Sequence, residues 1–233
     1  MLILAFETSA KAGSVALLQE DKLLAESYMN TGLTHSQTVM SMAETLLKNC
    51  GFAPCDVDAV AVAAGPGSFT GIRIGVAAAK GFAWGAEKPC YGASTLESMA
   101  LQMGIHQGYV LPVMDARRDQ LYNALFRAEN GKLQRLRDDR AISLEELKED
   151  IKNLSEPVFL VGDGSILCYN ALKDAQPELV LPQEHCMHQR ATGVALAARQ
   201  MIARGEPGDG AALTPNYLRL SQAERERLAR EQK

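Results

Sequence analysis

The chain has 233 residues, of which 47% are hydrophobic and 22% charged, and its formal net charge is -4 at pH 7. This length supplies enough apolar material for a sizeable core, in one large domain or in two small ones. The acidic balance argues against a large nucleic-acid-binding face on this chain, although it is compatible with membership of a complex that handles RNA.

The sequence predicts neither a signal peptide at the N-terminus nor a membrane-spanning segment. The apolar N-terminus lacks a preceding basic region, and no apolar run approaches the length that spans a bilayer. The five cysteines are scattered along the sequence, and none forms a Cys-x-x-Cys pair. These features predict reduced thiols and a cytoplasmic protein with no membrane partner.

The first half of the chain predicts three strands, a helix, a strand, a helix, a strand and a helix. Ser94 and Glu97 have the spacing of a capping box, as do Thr34 and Gln37. The predicted strands cover 2–6, 14–19, 22–29, 57–64 and 90–93, and the helices cover 34–49, 72–85 and a segment that begins after Ser94. A glycine-rich loop over 65–71 precedes the second of these helices.

The second half repeats this order of elements without repeating the letters. Asn130-Gly131 predicts a hairpin turn between two strands, and Ser143 with Glu146 predicts a capped helix. The predicted strands cover 110–115, 121–128, a third after the hairpin turn, 158–161 and 179–181, and the helices cover 143–154, a segment after 164, and 191–203. The order βββαβαβα therefore occurs twice.

We expect a duplicated RNase H-like α/β fold with one lobe over 1–104 and another over 105–220. The last helix could pack back on the first lobe, and a charged tail follows over 221–233. Glu7 and Asp115 end the first strands of the two halves, so facing lobes would bring both acids to one central cleft. This architecture resembles the superfamily of actin, Hsp70 and sugar kinases, in which paired acids manage a metal-nucleotide.

The helix after the glycine-rich loop consists almost wholly of small and apolar residues. Its Gly71-x-x-x-Gly75 and Gly75-x-x-x-Ala79 spacings allow another backbone to approach closely. A second apolar arc lies on the first helix. The predicted partner interface comprises Val39, Met42, Ala43, Leu46, Gly71, Arg73, Ile74, Gly75, Ala78, Ala79 and Phe82. The alternative is that both helices simply cover their own sheet.

Six segments occur in an order that resembles one family over nearly the whole chain. They are 3–9, 34–36, 65–75, 92–96, 114–117 and 217–219, and together they resemble the TsaB (YeaZ) family. The resemblance implies a role in forming N6-threonylcarbamoyladenosine in tRNAs that read ANN codons. It implies a scaffold for the catalytic paralogue TsaD, with a TsaE-like ATPase as third partner, homodimers in isolation, and tRNA contact only through the complex.

One departure from the paralogue bears on catalysis. The paralogue carries a metal-binding His-x-x-x-His where this chain has Thr95 and Met99. A hydroxyl and a thioether cannot replace two imidazoles on a divalent metal of this class. The resemblance therefore implies a non-catalytic chain without a cofactor, with ATP and metal on the partner subunits.

Other interpretations of the polar residues remain open. Glu7, Thr8, Ser9 and Asp115 could form a vestigial nucleotide cleft, or the two acids could be a turn residue and a member of a local ion pair. An independent ATPase or kinase that uses the two acids is one alternative function. A glycoprotease-like metallopeptidase is another, although the spacing of the histidines near 185–188 matches no standard zinc site.

Overall fold

The computed structural model describes residues 1–117 and 120–219 and contains two five-stranded sheets. The first half comprises β1 (Leu2–Glu7), β2 (Gly13–Gln19), β3 (Lys22–Met29), α1 (His35–Cys50), β4 (Ala59–Gly65), α2 (Phe69–Gly85), β5 (Cys90–Ser94) and α3 (Thr95–Gln102). The second half comprises β6 (Gln107–Asp115), β7 (Gln120–Glu129), β8 (Lys132–Ser143), α4 (Leu144–Ile151), β9 (Val158–Val161), α5 (Ser165–Leu172), β10 (Leu179–Val180), α6 (Glu184–Met187) and α7 (Ala191–Ala203).

The two sheets have the same topology, which confirms the predicted duplication. The first sheet has the order β3-β2-β1-β4-β5 and the second has the order β8-β7-β6-β9-β10. In each sheet the first strand pairs antiparallel with the second and parallel with the fourth. Every residue of β1 and β4 is buried, as expected for central strands that are covered on both faces.

Helices cover both faces of each sheet. Helices α1 and α2 pack on one face of the first sheet, and α7 packs on its other face. Helix α3 packs on the second sheet, whose opposite face is covered by α4 and α5. Helices α3 and α7 contact each other closely, because a Cβ atom at Gly193 would lie 2.1 Å from the carbonyl oxygen of Ser98. They form the layer between the two sheets.

Local capping explains where the structure departs from the predicted boundaries. Helix α2 begins at Phe69 because the Ser68 hydroxyl accepts a hydrogen bond from the N–H of Gly71. The predicted capping box at Thr34 is wrong, since no side-chain bond caps α1. A 3-10 turn over Pro54–Asp56 delays β4 to Ala59. Helix α6 was not predicted, and the predicted tail over 221–233 lies outside the described residues.

Candidate functional site

The glycine face of α2 packs against its own chain. A Cβ atom at Gly71 would lie 2.1 Å from the carbonyl oxygen of Thr8, and one at Gly75 would lie 2.2 Å from Thr8 Oγ1. Ala79 is fully buried on the same side of the helix. The predicted close approach of another backbone therefore exists, but the approaching segment is the end of β1. These three positions do not lie on an accessible surface.

The apolar arc of α1 is likewise internal. Its four members in the predicted interface are at most 7% exposed and belong to the core cluster between α1, α2 and the first sheet: Val39, Met42, Ala43 and Leu46. Of the other predicted interface residues, Arg73 is exposed and three are half-buried: Ile74, Ala78 and Phe82. Only these four residues of the predicted interface can meet a partner without rearrangement of the fold.

The outward side of α2 presents a crest of small residues that ends in an exposed indole. Ala77, Gly81 and Gly85 are exposed and follow one another at four-residue intervals, so they share one side of the helix. Cβ atoms at Gly81 and Gly85 would meet nothing within 4 Å. Trp84, the only tryptophan of the chain, is 87% exposed beside them. We call Ile74, Ala77, Gly81, Trp84 and Gly85 the α2 crest.

A C-terminal strap, residues 208–219, borders the crest on one side. Lys80 Nζ donates to the carbonyl oxygens of Ala211 and Leu213 at 3.2 and 3.1 Å. Arg73 Nε donates to the Tyr217 hydroxyl at 2.7 Å. The two basic side chains of α2 therefore hold the strap, which leaves the small residues between the strap and α1 exposed.

The strap ends at a cleft between the two lobes. Tyr217 stacks on Phe69 with the ring centroids 4.6 Å apart. Arg219 Nη1 donates to the carbonyl oxygens of Ala116 at 2.6 Å and Arg117 at 3.2 Å, and thereby joins the strap to the second lobe. The cleft has a volume of about 770 Å³, and its lining includes Ser9, Lys11, Gly67, Phe69, Thr70, Asp115, Arg117, Asp163, Tyr217 and Arg219.

The four residues of the predicted nucleotide cleft have different surroundings. Ser9 and Asp115 line the cleft, and Asp115 Oδ1 accepts a hydrogen bond from the backbone N–H of Arg117 at 2.6 Å. Thr8 is buried, and its Oγ1 donates to the carbonyl oxygen of Gly71 at 2.8 Å. Glu7 is fully buried below the cleft. The two acids that end β1 and β6 therefore do not form an equivalent pair.

The environment of Glu7 favours its protonated form. Burial raises the pKa of Glu7 to about 7, against the opposing effect of hydrogen bonds from Ser9. Oε1 accepts the N–H of Ser9 at 2.6 Å, whereas Oε2 has no hydrogen-bond partner among the described residues. Burial also raises the pKa of Asp163, which lines the cleft above it. Both carboxyls hold their protons more tightly than exposed acids do.

The two positions that the resemblance matches to the paralogue's metal ligands lie inside the core. Thr95 and Met99 are fully buried on α3. Met99 packs with Leu96 and Met114, and its sulfur would lie 3.1 Å from a Cβ atom at Gly162. The neighbouring Glu97 forms an ion pair with Arg135 at 3.0 Å instead of closing the predicted capping box. The space next to α3 is therefore filled with apolar side chains.

The actin-like fold implies a metal-nucleotide, and the residues that the structure describes do not fit one. Over the described ranges, no group of three or more His, Cys, Asp or Glu side chains is arranged to hold a metal ion. One oxygen of Glu7 is occupied by a backbone N–H, and burial disfavours its charged form.

Among the residues that the structure describes, no helix combines the length and apolar character needed to cross a membrane.

Sequence reasoning placed in the predicted interface a side of α2 that the structure buries against its own chain. The signal that sorts the two sides is the position of its two basic residues and its tryptophan, Arg73, Lys80 and Trp84. Because these side chains must point away from the sheet, the glycines on the opposite side must face inward. The same helical wheel places Ala77, Gly81 and Gly85 on the outward side. The strap has no comparable periodic signal.

Fold and site together define a duplicated, actin-like α/β protein whose described residues contain no metal-ligand cluster. The ROK hexokinase of Thermus thermophilus shares this fold, with a TM-score of 0.53 at 12% identity. That hexokinase covers 87% of this chain, and this chain covers all of it.

Comparisons of sequence and structure identify the family within this class. Residues 30–227 match the family model described as "TsaD: tRNA N6-adenosine threonylcarbamoyltransferase". The tRNA threonylcarbamoyladenosine biosynthesis protein TsaB of Bacillus subtilis is 34% identical over 225 residues, which are 96% of this chain and 96% of that protein. YeaZ from Pseudomonas aeruginosa superposes with a TM-score of 0.75 at 26% identity, covering 93% of this chain and 99% of that one. The chain belongs to the TsaB (YeaZ) family.

Proposed function

We propose that this chain is a non-catalytic scaffold in the biosynthesis of threonylcarbamoyladenosine in tRNA. Its relative in Bacillus subtilis carries that pathway in its name, and the match covers almost the full length of both proteins. The scaffold binds and stabilises a TsaD-like catalytic paralogue, a TsaE-like ATPase joins the complex, and tRNA is contacted only through the complex. ATP and metal belong to the partner subunits, and the complex works in the cytoplasm.

The α2 crest is the observation that carries the proposal. An exposed run of Ala77, Gly81 and Gly85 lets a second helix approach the backbone of α2 closely. Trp84 is an exposed aromatic side chain of the type that contributes most to protein interfaces. Met40, which is 44% exposed, offers an adaptable apolar side chain on α1, the helix that packs beside α2. In the absence of the paralogue, the same crest would pair two copies of this chain.

The filled space beside α3 supports the non-catalytic part of the proposal. Thr95 and Met99 are fully buried in the core, so the helix offers no imidazole and no open position for a substrate-bound metal. This arrangement disfavours the metallopeptidase alternative. The unequal surroundings of Glu7 and Asp115 likewise disfavour an independent kinase, because a kinase needs its acids charged and accessible at the phosphate groups.

The test is a charge placed in the centre of the crest. Ala77→Glu adds a carboxylate that would be buried without a partner in a helix pair, so we expect association with the TsaD-like paralogue to weaken by at least about 100-fold. Isothermal titration of the purified paralogue into the variant measures the loss. The same variant should elute as a monomer in size-exclusion chromatography with light scattering.

The matched control is Ala171→Glu, which places the same charge at an exposed alanine of α5. Both variants should unfold at the temperature of the unaltered protein, because neither alanine is buried. The control should bind the paralogue with unchanged affinity. If Ala77→Glu also binds with unchanged affinity, the crest is not the interface and the proposal fails.

A further inference from the structure

The C-terminal strap has no buried residue. All residues from 203 to 219 are exposed or half-buried, although the strap runs beside much of α2. Two backbone bonds tie it to the first sheet: the N–H of Cys90 donates to the carbonyl oxygen of Gly208 at 3.2 Å, and the N–H of Asn216 donates to that of Ala64 at 2.7 Å. A segment that buries so little surface can open locally while the core stays folded.

The first anchor of the strap is Lys80 on α2. Its ammonium group donates to the carbonyl oxygens of Ala211 and Leu213 at 3.2 and 3.1 Å. The side chain of Leu213 occupies the space that Gly92 leaves, since a Cβ atom at Gly92 would lie 2.2 Å from Leu213 Cδ1. Hydrogen bonds from a charged donor are roughly twice as strong as neutral ones, so Lys80 contributes much of the hold on this part of the strap.

The second anchor is aromatic and lies at the edge of the cleft. Tyr217 stacks on Phe69, and the guanidinium carbon of Arg73 lies 3.8 Å from the centroid of the Phe69 ring. Arg73 Nε also donates to the Tyr217 hydroxyl at 2.7 Å. Tyr217 is 39% exposed, so this stacking is a surface contact that water can replace.

The third anchor, Arg219, crosses to the second lobe. Its Nη1 donates to the carbonyl oxygens of Ala116 at 2.6 Å and Arg117 at 3.2 Å, in the turn that follows β6. All three residues line the cleft. Elsewhere the lobes are joined through α3 and α7, which form the layer between the two sheets. The strap therefore adds a connection across the cleft that consists of surface bonds.

We propose that the strap is a latch that opens and closes as one unit and that, when closed, clamps the second lobe across the cleft through Arg219. The three anchors lie on one continuous segment without a buried residue between them, so loss of one anchor weakens the hold of the other two. Opening releases Arg73 and Lys80 beside the α2 crest and removes the bond across the cleft at the same time. The latch is a property of the free chain and requires neither a ligand nor the paralogue.

Hydrogen–deuterium exchange of the full chain, read by mass spectrometry, tests the proposal. Lys80→Met removes the anchor that lies farthest along the strap from the second lobe. We expect about tenfold faster exchange over 211–216 and, because the strap opens as a unit, faster exchange over 113–117 as well. The second segment reports on the closed state, since the N–H groups of Ala116 and Arg117 are both hydrogen-bonded there.

Arg219→Met removes the anchor at the other end of the strap. It should accelerate exchange over 113–117 and over 211–216 alike. In both variants the midpoint of denaturant unfolding should change little, because the strap contributes no buried residue. Lys132→Met, which removes an exposed lysine from the β7–β8 hairpin, is the matched control and should leave the exchange of both segments unchanged.

Three results would overturn the proposal. Faster exchange over 211–216 alone in Lys80→Met would show that the strap does not open as one unit. Faster exchange throughout both sheets would show that Lys80 supports the core rather than a latch. Unchanged exchange in both variants would show that these bonds do not hold the strap.

Discussion

Glu7 shows how the surroundings of one residue determine its chemistry. The carboxyl lies at the end of β1, where burial raises its pKa from 4.5 to about 7. The folded protein therefore binds the proton more tightly than the unfolded chain does. The resulting stabilisation is complete below about pH 4.5, declines as the pH rises towards 7, and is absent at higher pH.

Glu7→Gln should remove this pH dependence. At pH 8 the variant should be more stable than the unaltered protein by up to about 3 kcal/mol, because the amide carries no charge to bury. The advantage should be largely lost near pH 4.5, where the glutamate is protonated in the folded state and half protonated in the unfolded chain. Denaturant unfolding of both proteins between pH 4.5 and 8 measures the difference. Parallel curves across this range would show that Glu7 does not titrate as its burial implies.

Thr95 and Met99 are the residues for which sequence reasoning was most direct. Their side chains cannot replace two imidazoles whatever the fold around them, so the prediction that this chain lacks the paralogue's metal pair rests on residue type alone. Their surroundings required the structure, because Met99 is buried through contacts of α3 with the second lobe. Those contacts join parts of the chain that are distant in sequence.

At the scale of elements, α2 has two glycine-bearing sides with opposite roles. Gly75→Ala should destabilise the protein by about 1 to 3 kcal/mol, because its Cβ would lie 2.2 Å from Thr8 Oγ1. Gly81→Ala should instead stabilise it by up to about 1 kcal/mol, because the position is open and alanine favours helix. Chemical denaturation of the two variants measures both effects. The reverse order of stability would contradict the orientation of α2 described above.

Most elements could be predicted because their signals are local. The apolar run of β4, the Asn130-Gly131 turn and the capping box of Ser143 and Glu146 each act within a few residues, and the structure confirms all three. The duplicated order of strands followed from these local signals. By contrast, Thr34 offers the right spacing for a cap, but its side chain makes no capping bond.

The candidate site was less predictable because it depends on which segments meet. The small-residue spacing from Gly71 to Ala79 correctly indicated a close backbone approach, but it carries no information about which backbone approaches. The strap is irregular, and its bonds to Lys80 and Arg73 span more than 130 residues of sequence. No periodic pattern encodes such contacts. The sequence therefore did not predict which residues line the cleft, and the structure was needed to identify them.

At the scale of the whole molecule, α2 links two surfaces. Its first turn lines the cleft between the lobes, and its outward side forms the crest. The strap runs beside the helix and joins its N-terminal end to the second lobe through Arg219. A partner that docks on the crest would therefore contact a helix that is anchored to both lobes, which suits a rigid scaffold.

The most direct test of the account is a reconstituted tRNA modification assay with the TsaD-like paralogue, the TsaE-like ATPase and variants of this chain. We expect Ala77→Glu to abolish formation of threonylcarbamoyladenosine, because the paralogue loses its scaffold. The double variant Glu7→Gln, Asp115→Asn should retain the activity of the unaltered chain, since the proposed scaffold role assigns no chemistry to these two acids. Loss of activity in the double variant with full activity in Ala77→Glu would contradict the scaffold role.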